Sequence, residues 1–65
     1  MNTQTFWMCY VEGGNSPKEI HYSEVSANNE AARLARKEQH RVFVLESKAW
    51  YEVAVAPVER HETEQ

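Results

Sequence analysis

His21, His40, His61 and Cys9 are the only imidazole and thiol groups in the chain. They stand 12, 19 and 21 residues apart. Zinc sites ask for ligand pairs only a few residues apart, so no metal site is expected. Cys9 and His21 fall on segments able to face each other across a hairpin, the arrangement of a thiolate–imidazole pair. A single cysteine among apolar neighbours is instead expected to be a buried structural thiol. All ten acidic residues are Glu, and the chain has no Asp. Asp-based triads, dyads and phosphoryl-transfer sites are excluded outright. No Ser occupies a nucleophile elbow and no pair of Glu is placed by a motif for acid–base work. A non-enzymatic protein without cofactor follows as the expectation.

The remaining chemistry is charge and apolar surface. The formal charge of −3 argues against a general polyanion binder. It is unevenly spread: residues 26–41 hold Arg33, Arg36, Lys37 and Arg41 against Glu30 and Glu38. Arg33, Arg36, Lys37 and His40 are the candidate nucleic-acid contacts, each able to add a salt-dependent phosphate interaction. Trp7 or Trp50 would then supply a stacking surface. Gly13-Gly14-Asn15 reads as a turn rather than an anion nest, because a strand and not a helix is expected after it.

These residues need elements to hold them. Residues 5–11, TFWMCYV, have the aromatic and β-branched content of a strand. Residues 17–22 give a short second strand, with Pro17 suited to an edge. Ser23 or Ser26 caps a helix whose apolar stripe is Ala27, Ala31, Leu34 and Ala35. No glycine ends that helix, so the β-rich run after it must. Residues 41–46 form a third strand, and a tight turn at Ser47-Lys48 leads to a fourth over residues 49–57. Tyr51, Val53 and Val55 alternate there with Trp50, Glu52 and Ala54, and Pro57 terminates it. Residues 58–65 are polar and expected to fray.

The expected fold is therefore α+β: a single ββαββ domain over residues 1–57, with a flexible polar tail over 58–65. Its four-stranded antiparallel sheet has order 2-1-3-4, and one helix is packed on one face. The first and third strands are apolar on both sides, and one helix covers only one side. Parity does not say which set meets the helix. The uncovered set predicts an interaction surface, with a homodimer as its simplest cover. The candidate partner or dimer contacts are Trp7, Cys9, Val11, Phe43 and Trp50. At 65 residues the chain lies near the lower limit for folding alone, which also favours a partner. No basic-plus-apolar leader opens the chain, and no apolar run nears the ~18 residues of a membrane span. A cytoplasmic setting is expected.

In order and spacing, YVEGGNSP, EAARLARK and RVFVLES resemble a group of very small phage- and prophage-encoded proteins. Those run strand, Gly-rich turn, His-containing strand, Ala/Glu/Arg helix and an FYVLE-like strand. The resemblance covers roughly residues 6–46. It implies a phage or prophage accessory protein that binds a host or phage macromolecule, and it transfers no catalytic residue. The chain departs from that pattern in lacking an Asn-Pro-Gly-type helix stop and in adding a fourth strand.

Overall fold

A computed structural model describes residues 3–53 and 58–64. The elements in chain order are β1 (Trp7–Val11), α1 (Glu24–Glu38), β2 (Val42–Glu46), β3 (Ala49–Glu52) and β4 (Glu59–Glu62). The fold is α+β, but its strands form two separate two-stranded antiparallel sheets, β1–β2 and β3–β4, rather than one four-stranded sheet.

The pairing of β1 with β2 follows the expectation for the two strands that are apolar on both faces. Its register sets Trp7 against Glu46, Cys9 against Val44 and Val11 against Val42. Helix α1 starts where Ser23 caps it, its side chain accepting from the Ser26 backbone N–H at 3.4 Å. Its stripe then lies on the sheet: Ala27 is wholly buried, and Ala31, Leu34 and Ala35 are half-buried. An Ala here brings the helix close enough for the Cys9 thiol to donate to the Ala27 carbonyl at 3.2 Å.

The helix stop differs from the expectation. Gln39 itself takes the left-handed conformation, φ 56°, and donates its backbone N–H to Ala35. Its side-chain Nε2 donates to the Arg36 carbonyl at 2.7 Å. Two of the helix's last orphan carbonyls are thus satisfied without a glycine.

The strand expected over 17–22 shrinks to one bridge, in which Trp7 and His21 exchange both backbone bonds at 2.7 and 2.8 Å. The cause is local. Continuing that antiparallel register sets Glu19 against Cys9 and Pro17 against Val11, and Pro17 has no N–H to give. The Val11 carbonyl is instead taken by the Gly14 N–H at 2.8 Å, closing the expected turn with Gly13 at φ 78°.

The expected fourth strand is corrected at both ends. β3 spans Ala49–Glu52, and residues 54–57, with Val55 and Pro57, lie outside the described residues. β3 also does not fold back on β2, because the groups of the would-be turn are committed elsewhere. Ser47 N–H donates to Phe6 at 2.9 Å, and the Ser47 hydroxyl accepts from Phe6 N–H at 3.0 Å. The carbonyls of Ser47 and Lys48 accept from Thr63, at 2.8 and 3.0 Å. The partner of β3 comes from residues 58–65, expected to fray: Glu59–Glu62 form β4.

Thr5 joins the two sheets. Its backbone N–H donates to the Glu64 carbonyl at 2.8 Å, and its hydroxyl donates to the same oxygen. Glu64 N–H in turn donates to Thr3 at 3.2 Å. Thr5 is the largest fully buried side chain among the described residues, so this junction is closed by hydrogen bonds rather than by apolar packing.

Candidate functional site

Side-chain alternation along a strand sorts the two faces of β1–β2. Cys9 bonds the helix, so Trp7, Cys9 and Val11 lie on the helix side together with their cross-strand partners Glu46, Val44 and Val42. The face away from the helix carries Met8, Tyr10, Phe43 and Leu45, in the pairs Met8–Leu45 and Tyr10–Phe43. Phe43 is 40 % exposed and Leu45 46 % exposed. This face is the candidate interaction surface.

The five expected contact residues are therefore not gathered into one patch. Trp7, Cys9 and Val11 belong to the helix side, where Val11 and Cys9 line a cleft with Leu34. Phe43 stands on the open face. Trp50 is in the β3–β4 hairpin, stacked on the His61 ring with centroids 4.1 Å apart and planes 15° from parallel. Its indole Nε1 is covered and has no hydrogen-bond partner among the described residues. His61 Nε2 sits 3.5 Å from Glu59 and 4.0 Å from Glu52, between two carboxylates that the register places directly opposite each other. Met8, Tyr10 and Leu45 stood outside the expected contacts. The signal was present in the even-numbered alternation of β1, but only the Cys9–Ala27 contact decides which parity faces out.

Three of the four candidate cations, Arg33, Arg36 and Lys37, stand at i, i+3 and i+4 of α1 and share one helix face. Arg33 is held by Glu30 through two hydrogen bonds of 2.7 Å. That bond, more than charge alone, lowers the Glu30 carboxyl below the ordinary carboxylate range and raises Arg33. Arg36 and Lys37 occupy the last turn, where they oppose the negative end of the helix dipole. His40 lies beyond the Gln39 cap and is exposed, so it does not share a helix face with the other three.

Cys9 and His21 are not partnered with each other. The thiol donates to Ala27, and burial, then the charges of Glu30 and Glu19, push its pKa up. His21 is buried, with Nδ1 2.9 Å from the Ser26 hydroxyl and Nε2 3.6 Å from Glu19. A raised thiol is a poor nucleophile at neutral pH. Among the described residues no three His, Cys or Glu side chains are placed to hold a metal ion, and no helix is long and apolar enough to cross a membrane.

The geometry defines a small α+β chain with one open apolar sheet face and a helix-side cleft. Comparison with protein families, with curated proteins and with solved structures finds no match.

Proposed function

We propose that this chain is a non-enzymatic protein-interaction module that works as a homodimer, with the Met8, Tyr10, Phe43 and Leu45 face of β1–β2 as the contact. The supporting observation is one of area. The chain exposes 5183 Å², whereas a compact monomer of 7.6 kDa exposes about 4,300 Å². The excess, about 900 Å², is spread over the whole outline, and the open face contributes to it through Phe43 and Leu45. The Cα radius of gyration agrees: 14.3 Å, against about 11 Å for a compact chain of 65 residues.

A second copy is the simplest cover because a sheet face that packs on its twofold image needs no other molecule. The resemblance over residues 6–46 supplies the setting: a cytoplasmic accessory protein of a phage or prophage, acting on a host or phage macromolecule. Sedimentation equilibrium of the wild type and of Leu45→Asp tests the reading. A wild-type dimer and a folded Leu45→Asp monomer are expected. A wild type that remains monomeric across the micromolar range overturns it.

A further inference from the structure

Cys9 sits at a gap on the outer edge of β1. Trp7 spends its outward groups on His21, and the Val11 carbonyl is taken by Gly14. Outward-facing groups recur every second residue of an antiparallel strand, so the Cys9 N–H and C=O also point outward. Among the described residues no backbone bond outside the β1–β2 ladder reaches them, because the segment that Pro17 keeps off that edge stands away from it. The lane it vacates is a cleft of about 400 Å³, floored by Cys9, Val11 and Leu34 and rimmed by Glu19, Glu30 and Glu38 against the single cation Lys18. That volume falls within the range of ligand sites, and a few polar groups over an apolar floor is their usual make-up.

We propose that this cleft binds a short extended peptide carrying a basic side chain, taken up as an added strand on β1. One peptide residue exchanges N–H and C=O bonds with Cys9 and lays an apolar side chain on Leu34. A Lys or Arg two positions away shares that face and meets the carboxylate rim. Two observations select this occupant: an unpaired strand edge calls for backbone donors and acceptors, and Glu19 and Glu38 against Lys18, with Glu30 already held by Arg33, leave a rim of net negative charge that calls for a positive one. The site lies on the helix side of the sheet, so it does not depend on the dimer face.

The probe is a fluorescein-labelled Thr-Val-Thr-Lys-Thr peptide, read by anisotropy against the full chain at low salt. Binding is expected, weakened about tenfold by N-methylation of the peptide's valine, which removes one backbone donor. It is expected to weaken about fivefold for Glu38→Lys, a substitution that suits the helix C-terminus and leaves the fold intact. Absence of binding at millimolar peptide overturns the proposal, as does equal binding of the N-methylated peptide. Full displacement by spermidine also overturns it, since the cleft would then hold any small cation. Sedimentation of the same samples keeps this result separate from the fate of the dimer reading.

Discussion

Replacing Phe43 by Ser removes the exposed aromatic ring of the open sheet face. Phe43 is 40 % exposed in the single chain, and an aromatic side chain carries roughly 200 Å². About 80 Å² per copy is therefore available for burial, worth about 2 kcal/mol at ~25 cal/mol per Å². A twofold interface counts the loss twice, so Phe43→Ser is expected to cost about 4 kcal/mol of dimerisation. At 1.4 kcal/mol per decade this is roughly a thousandfold in Kd. Sedimentation equilibrium over a dilution series measures that shift, and far-ultraviolet circular dichroism on the same samples checks that the helix persists. A folded Phe43→Ser whose dimer constant stays within about threefold of wild type, well under the tenfold that 1.4 kcal/mol gives, refutes the placement of the interface on this face.

Three further outcomes are expected. Gln39→Gly relieves the left-handed strain at φ 56° and should raise stability by about 0.5–1 kcal/mol, read as a few degrees in Tm. Ala27→Leu forces four-carbon bulk into a fully buried position against Cys9 and should cost about 1–3 kcal/mol in a urea titration. The Glu30 carboxyl has a folded pKa below its unfolded value, so its contribution is complete above the unfolded pKa and lost as pH falls through the folded one. Acid unfolding should therefore steepen below about pH 4.5, and Glu30→Gln should flatten that part of the curve.

What the sequence made legible was carried by apolar periodicity. Phe43, Val44 and Leu45 marked a strand greasy on both sides, as did Trp7, Met8 and Cys9, and these two strands do pair. The Ala27–Ala31–Leu34–Ala35 stripe likewise placed the helix on them. The second sheet was hidden because β4 pairs through Arg60, His61 and Glu62, whose partners Tyr51, Trp50 and Ala49 stack on them or accept a polar neighbour. A pattern built on apolar alternation is blind to a ladder of that kind. Pro17 was legible as an edge residue, but its effect depends on register: opposite an outward-facing residue such as Val11 its missing N–H costs a ladder bond, and one residue out of register it would cost none. Trp7, Cys9 and Val11 were expected as contacts while parity left open which set meets the helix, and the structure puts them on the helix side. One thiol-to-carbonyl contact, Cys9 to Ala27, answers it.

The bonds from Thr5 to Glu64 connect residues 59 positions apart. A ribosome therefore delivers the first half of that joint long before the second. The helix can settle on β1 and β2, and the hairpin can close, while Thr5 still waits with an open donor. Union of the two sheets therefore closes a loop of nearly the whole described chain, and loss of Glu64 alone would leave both parts formed with this fastening undone.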